Sequence, residues 1–141
     1  MTLARKCVPF TPFEGELAKS EIAIVTAAGV HLRTQAAFNI ADELGDLTYR
    51  VLPPDVDTGA LMVTHHHYDH ADADEDINVV FPIDALRELV AEGFVGGVAR
   101  KHVGYMGYTM QLKAMYEGTA PEIANEIDRG SRADVVVLTG G

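Results

Sequence analysis

The sequence contains one cysteine, few basic residues and no long apolar run. Cys7 has no second cysteine with which to form an internal disulfide, as is typical of proteins from a reducing compartment. The chain has 11 lysines and arginines but 21 aspartates and glutamates, which gives a formal net charge of −10. This negative charge disfavours nucleic acid and anionic membranes as partners. No stretch approaches the roughly 18 apolar residues of a membrane span, and the N-terminus lacks the apolar core of a signal peptide. We therefore expect a cytoplasmic protein.

Length and apolar content set the number of domains. A chain of 141 residues with 48% hydrophobic content can build one packed core but not two comfortable ones. Residues 1–20, which include Cys7 followed by two prolines, are predicted to form an extended arm with an incidental thiol. Residues 21–141 are predicted to form a single α/β domain.

Short apolar runs alternate with segments of helical periodicity along this domain. Strands are predicted at 21–29, 47–52, 60–63, 94–99 and 133–141, and helices at 34–45, 81–93 and 120–128. The helix over 81–93 has the clearest apolar stripe and ends at Gly93. All-apolar strands that alternate with helices predict a three-layer, doubly wound α/β fold with a mainly parallel sheet. The last strand, which is predicted to be buried, has no helix after it, so we expect the sheet to be incomplete at its C-terminal end.

The histidines follow predicted strands instead of being scattered. The segments after four of the strands are 26–31, 64–69, 100–108 and 139–141, and the six histidines lie in or directly beside the first three. Ligands of open parallel sheets bind beyond the carboxyl ends of the strands. We therefore expect one polar, glycine-rich edge of the sheet to be the active face.

The stretch "THHHYDHADADED" (64–76) suggests a metal site as an alternative. Its ligand run resembles that of metallo-β-lactamase-type hydrolases and consists of His65, His67, Asp69 and His70. A binuclear site needs further ligands from downstream, where His102 is the only remaining histidine. The plainer interpretation is a loop ordered by hydrogen bonds, with the acids favouring the start of the next helix. A metal-dependent hydrolase and a non-catalytic binding module both stay open as alternatives.

Longer blocks of sequence resemble a known family. In chain order they are "IVTAAGVHL", "HYDHADADEDINVVFPIDALRELVAEGFVGGVA", "HVGYMGY" and "ADVVVLTGG". These blocks resemble the selenoprotein B family of glycine, sarcosine, betaine and D-proline reductases. The resemblance covers nearly the whole chain, and it includes the His67-Tyr68-Asp69 turn and the loop at 104–107. It implies that the metal-ligand pattern is a coincidence of a histidine-rich turn, and it favours no metal there.

The resemblance also implies an activity. Family members reductively cleave a carbon–nitrogen bond of glycine, a glycine derivative or D-proline, with a selenolate or thiolate as the nucleophile. Their oxidoreductase class is defined by a disulfide acceptor in the reverse direction, so in the direction of cleavage a dithiol is oxidised to the disulfide. His67 and His102 are then the candidate catalytic residues, which would protonate the departing amine of a small amino-acid substrate. The candidate substrate-binding residues are Thr26, Gly29, His31, Asp69, Thr139, Gly140 and Gly141.

The redox residue of the family is expected directly after this sequence. In the family the last strand leads into a selenocysteine or cysteine, and here the corresponding position comes after Gly141. The resemblance thus implies the N-terminal portion of a longer subunit, interrupted at a UGA codon that encodes selenocysteine. The fragment itself is expected to be inactive and to carry no cofactor, and a pyruvoyl group on a partner subunit is implied for amine activation.

Partners are expected at the last strand. Residues 134–141 and the helix over 81–93 are predicted to flank an interface with other reductase subunits, with the rest of a longer subunit or with a second copy, because an uncovered apolar strand tends to pair.

Overall fold

The computed structural model describes residues 12–141 as a mixed α/β protein, which confirms the predicted fold class. The strands are β1 (Glu21–Thr26), β2 (Val30–Leu32), β3 (Tyr49–Leu52), β4 (Leu61–Val63), β5 (Gly97–Val98), β6 (His102–Tyr105) and β7 (Val135–Thr139). The α-helices are α1 (Ala71–Glu75), α2 (Ile83–Ala91), α3 (Leu112–Ala114) and α4 (Ala120–Gly130). No helix within 12–141 is long and apolar enough to cross a membrane. Of the predicted arm, residues 1–11 with Cys7 lie outside the described residues.

The main sheet is mostly parallel and is built around β1. Strand β7 pairs with one side of β1, while β5 and β6 pair with the two ends of its other side, all in parallel. Strand β3 adds to β6 in the antiparallel direction. The predicted strand at 60–63 exists as β4, but it does not join this sheet. It pairs with β2 in a separate antiparallel ribbon.

Side chains of β1 point alternately to two apolar clusters, one on each face of the sheet. Ile22 and Ile24 belong to one cluster, and Ala23 and Val25 belong to the other. The first cluster is completed by residues of α2, the segment before it and the β2–β4 ribbon, among them Phe81, Ile83, Leu86, Val30 and Val63. The second is completed by α4 through Ile123 and Ile127. The two predicted helices at 81–93 and 120–128 thus pack on opposite faces of β1, as strand alternation requires.

The helix predicted at 34–45 is wrong, because this segment forms turns and irregular backbone. Nearby side chains accept from the backbone N–H groups that a helix would pair internally. Asp46 accepts from Asn39 N–H at 2.7 Å, and Asp42 accepts from Leu44 N–H at 2.9 Å. Such local side-chain acceptors offer the backbone an alternative to the helix. Phe38 is buried and stacks against the Arg50 guanidinium, so the apolar spacing of this segment reflects anchoring of a loop.

Strand β7 is exposed, which corrects the expectation of a buried final strand. Val136, Val137 and Leu138 are 41%, 38% and 75% exposed. Among the described residues β7 pairs only with β1, so its other edge is open. An apolar edge strand without charge or proline is prone to pair with another chain. Residues 134–141 therefore contain the exposed apolar strand edge from which association was predicted.

We expect the purified 141-residue chain to self-associate through β7 at roughly 100 μM, a concentration at which open strand edges associate. Leu138→Lys should shift the population toward monomer, since a lysine on an edge strand opposes pairing. Light scattering measures the effect. Leu44→Lys is the matched control because Leu44 is 53% exposed and lies in the 34–45 segment. A monomeric wild-type chain, or an equal response to both substitutions, would contradict the prediction.

Candidate functional site

Four segments of the chain meet at the carboxyl edge of the main sheet. They are residues 26–31, 64–70, 104–108 and 139–141, which we call the rim. Four backbone hydrogen bonds join them: Ala27 N–H to Thr139 O (2.9 Å), Gly107 N–H to Ala27 O (2.8 Å), Gly29 N–H to Tyr105 O (2.9 Å) and Thr64 N–H to Gly29 O (2.9 Å). The segments that follow three parallel strands, together with the turn after β4, therefore form one continuous surface, as expected for this class of sheet.

Thr26 and Thr139, the two rim threonines predicted to bind substrate, use their hydroxyl groups within the protein. Thr26 is fully buried, and its Oγ1 accepts from Ala28 N–H at 3.3 Å. Thr139 donates its hydroxyl to Val80 O at 2.6 Å. Gly140 is exposed, and the space around its Cα is open. Of these three predicted substrate-binding residues, Gly140 is thus the one with free access from solvent.

His67 lies on the surface of the rim and stacks on Tyr108. The two ring centroids are 3.4 Å apart and the planes are inclined by 19°. Desolvation, followed by the nearby His66, lowers the pKa of His67, so the neutral imidazole is favoured. A neutral imidazole accepts a proton before it can donate one. His67 is therefore placed to exchange protons with a ligand on the rim.

The four residues of the metal alternative do not converge. His65 Nδ1 accepts from His67 N–H at 3.1 Å, and the Asp69 carboxylate accepts from Ala71 N–H at 3.1 Å. His70 pairs with Asp74 at 2.7 Å. Within residues 12–141 no three His, Cys, Asp or Glu side chains come together in a way that could hold a metal ion. This geometry gives the metal-dependent hydrolase no support, and it matches the plainer interpretation of a loop ordered by hydrogen bonds.

The side chain of His31 is buried beneath the exposed surface of the rim. Its side chain is 1% exposed. Nδ1 donates to Leu32 O at 2.8 Å, and Nε2 accepts from the Thr64 hydroxyl at 2.7 Å, which is the tautomer that satisfies both partners. With both ring nitrogens occupied inside the protein, His31 joins β2 to the start of the histidine turn, and this geometry gives no direct contact with a ligand.

His102 is placed far from the position that the sequence suggested. The predicted strand 94–99 was expected to end before it, but His102 opens β6 and pairs with Leu52 at the opposite end from Tyr105. It is fully buried, and its Nδ1 accepts from Ile24 N–H at 2.9 Å. Desolvation, with a smaller effect of Arg87, lowers the pKa of His102 to about 4. A buried, neutral imidazole at the amino end of a strand cannot reach a substrate on the rim.

Sequence analysis named Tyr68 only as part of the His67-Tyr68-Asp69 turn and gave it no role, but its side chain contacts two of the other rim segments. Its hydroxyl donates to Ala28 O at 3.0 Å, and its ring faces Gly141. The edge of the ring also meets His65, with centroids 4.9 Å apart. The only signal in the sequence was an aromatic residue inside a polar, histidine-rich turn.

An apolar cavity of about 560 Å³ lies next to the rim, between the sheet and α4. Its walls include Val25, Tyr105, Ile123, Val136 and Leu138. Asp128 supplies its one acidic group. The cavity is open along the exposed face of β7, so it continues the same apolar surface.

Comparison with known proteins identifies relatives that are subunits of reductases. The chain is 42% identical over 132 residues to the D-proline reductase subunit gamma of Acetoanaerobium sticklandii, which covers 94% of this chain and 53% of that protein. It is 29% identical over 140 residues to the glycine reductase complex component B subunit gamma of Symbiobacterium thermophilum, with 94% and 31% covered. It is 31% identical over 129 residues to the betaine reductase complex component B subunit beta of Peptoclostridium acidaminophilum, with 88% and 28% covered.

The chain spans about half the length of the first of these relatives and about a third of the others. No solved structure matches it. The family model for glycine/sarcosine/betaine reductase selenoprotein B matches residues 4–141. This match confirms the resemblance seen in the sequence, and the chain belongs to the glycine/sarcosine/betaine reductase selenoprotein B family.

Proposed function

We propose that this chain is part of a reductase-complex subunit that cleaves the carbon–nitrogen bond of a small amino acid, with D-proline as the favoured substrate. The observation that carries the proposal is the 42% identity to a D-proline reductase subunit across 94% of the chain, against 29% and 31% for the glycine and betaine relatives. The rim lies at the carboxyl edge of the mostly parallel sheet, where ligands of such sheets bind, and this supports it as the part of the chain that takes part in the reaction.

The reaction requires a nucleophile that the rim does not contain. Cys7 is the only cysteine of the chain, and it is outside the rim. A selenolate or thiolate, supplied from outside these residues, would bond to the α-carbon while the bond from that carbon to nitrogen breaks and the amine leaves with a proton. A second thiol then forms a bond to the selenium or sulfur, and the α-carbon takes up a proton. A dithiol then reduces this selenium–sulfur or disulfide bond with two electrons, which restores the nucleophile and the second thiol, and the dithiol ends as a disulfide.

The rim residues would bind the substrate and move the proton. The exposed backbone around Gly140 suits the substrate carboxylate, because backbone N–H groups stabilise an anion without a basic side chain. His67 would exchange the proton of the amine, since its neutral imidazole is exposed on the rim. A pyruvoyl group on a partner subunit would activate the amine before cleavage.

The proposal is tested on the native assembly. The chain is tagged in its source organism and purified without oxygen together with the subunits that bind it, and D-proline, glycine and betaine are each supplied with dithiothreitol. We expect D-proline to be consumed with formation of the ring-opened 5-aminopentanoate. Turnover of glycine or betaine instead would correct the substrate, and an assembly that reduces none of the three would overturn the proposed function.

A further inference from the structure

Tyr68 occupies a position on the rim that the proposed reaction does not use. Its hydroxyl is tied to the turn between β1 and β2 through Ala28 O, and its ring lies against the backbone of Gly141. The same side chain therefore contacts the segment that follows β1 and the segment that follows β7. Tyr68 lies in the segment 64–70 together with His67, and His67 stacks on Tyr108 of the segment 104–108.

The packing between Tyr68 and Gly141 leaves no room for a side chain at position 141. A Cβ atom on Gly141 would lie 2.6 Å from Cε1 and 2.7 Å from Cε2 of the Tyr68 ring. Carbon atoms in contact are about 3.5–4.0 Å apart, so the two groups would overlap. At Gly140, by contrast, a Cβ atom would meet nothing within 4 Å. Two neighbouring glycines thus differ in whether they face the tyrosine.

We propose that Tyr68 is a positioning residue that holds residues 139–141 against the β1–β2 turn, and that the contact requires glycine at position 141. The inference rests on the proposed function in one respect, that the rim is where the substrate binds. The Tyr68 ring supports the backbone of Gly141, and the hydrogen bond from its hydroxyl to Ala28 O orients the ring.

The hydroxyl bond persists at every physiological pH. Desolvation, with a smaller effect of Asp74, raises the pKa of Tyr68 to about 12, so the phenol stays a donor. The ring is further held by its edge contacts to His65 and His70, at centroid distances of 4.9 Å and 5.8 Å. A side chain held from three directions is a suitable support for a short segment that has no regular structure beyond Thr139.

The test uses NMR spectroscopy of the 141-residue chain, recorded well below the roughly 100 μM at which self-association through β7 is expected. Because Gly141 packs on the face of an aromatic ring, its α-protons should resonate upfield of the usual glycine range. Tyr68→Phe should keep this ring-current shift, and Tyr68→Ala should abolish it. Hydrogen exchange of the Ala27 amide gives a second signal, since this N–H donates to Thr139 O and reports whether the segment stays in place.

The two glycines supply a matched pair of variants. Gly141→Ala should speed exchange of the Ala27 amide about tenfold, the order expected when a single bond opens locally, and Gly140→Ala should leave it unchanged. In a Tyr68→Ala background, which makes room for the new methyl group, Gly141→Ala should have no further effect. If Tyr68→Ala does not fold, the wild-type and Tyr68→Phe spectra and the two glycine variants still decide the matter.

Equal responses to Gly140→Ala and Gly141→Ala would overturn the inference. So would a Gly141 resonance that lacks the ring-current shift in the wild-type chain and in Tyr68→Phe. Both signals are measured without substrate or partner subunits. The outcome is therefore independent of the reductase assay, and each proposal can fail while the other stands.

Discussion

Replacing Gly104 by alanine is expected to lower the free energy of unfolding by about 3 kcal/mol or more, at the upper end of the cost of overpacking a core. Gly104 is buried in β6, where the backbone of β2 crosses directly above it. A Cβ atom at position 104 would collide with Val30 O, and it would lie 3.0 Å from Val30 C and 3.5 Å from Val30 Cα. Backbone atoms cannot rotate away as the end of a flexible side chain can, so β2 itself has to move.

Movement of β2 would reach the rim. Val30 pairs with Val63 of β4, and the turn that carries the histidines begins at Thr64. Thermal or denaturant unfolding measures the loss of stability, with a two-dimensional NMR spectrum to show which rim resonances shift. Gly118→Ala is the control, because a Cβ atom at position 118 meets nothing within 4 Å and alanine favours helix over glycine. If Gly104→Ala and Gly118→Ala were both as stable as the wild-type chain, this would contradict the close contact between the backbones of β2 and β6 at Gly104.

The regular elements could be predicted wherever apolar residues repeat at one period and a clear stop follows. Helix α2 is such a case: its apolar stripe packs on the sheet, and Gly93 follows the helix with a φ of +79°. The predicted strands at 21–29, 47–52, 60–63, 94–99 and 133–141 each contain a strand of the structure. Their pairing could not be predicted, because nothing in residues 60–63 distinguishes a strand of the main sheet from one strand of a separate ribbon.

The error at 34–45 has a different cause. The spacing of Phe38 and its neighbours fits a helix, but spacing alone does not show whether polar side chains will take the backbone donors. Asn39, Asp42 and Asp46 do so here, and Arg50 donates to the carbonyl groups of Ala36 and Ala37. The contacts of Arg50 depend on β3 lying beside the segment, which is tertiary information that the periodicity does not contain.

The candidate site was predicted better by position than by residue type. The rule that ligands bind at the carboxyl ends of parallel strands placed all four segments at one edge of the sheet. Three of them follow parallel strands, whereas the turn after β4 reaches the rim through the pairing of β4 with β2. Histidine content was the weaker guide. The imidazoles of His31 and His102 form hydrogen bonds with buried backbone and side-chain groups. Besides the backbone hydrogen bonds, it is the side chain of Tyr68 that contacts the segments after β1 and β7, and no spacing in the sequence distinguishes this residue.

His102→Ala is expected to cost about 3 kcal/mol of stability, because it leaves a buried N–H without an acceptor and opens a cavity. From Ile22 to Val25 on β1 is three residues, whereas the paired positions Val98 and Val103 are five apart. The neighbouring strand therefore bulges, and Ile24 N–H finds the His102 imidazole where a carbonyl would normally lie. His102→Asn should cost less than His102→Ala, since an asparagine carbonyl oxygen can take the place of Nδ1.

The same contact predicts how stability depends on pH. The pKa of His102 is about 4 in the folded protein, against 6.5 for an unperturbed histidine, so between these values the unfolded chain binds the extra proton. The contribution of the neutral His102 imidazole to the free energy of unfolding is fully present above pH 6.5 and is lost as the pH falls toward 4. Full loss amounts to about 3 kcal/mol, since one pKa unit corresponds to roughly 1.4 kcal/mol. Unfolding by urea at a series of pH values measures this slope.

The His102→Asn variant separates this contribution from that of other groups. Desolvation also lowers the pKa values of His65 and His67, so part of the loss of stability below pH 6.5 belongs to those residues and should survive in the variant. The lowered pKa values of Asp46 and Asp76 take effect below their usual value of 3.8, outside this window. We therefore expect the variant to be less stable than the wild-type chain at pH 7 and to lose much less stability on acidification to pH 4. Parallel curves for the two proteins would show that His102 takes up its proton equally readily in the folded and the unfolded chain, which contradicts a buried imidazole that accepts from Ile24 N–H.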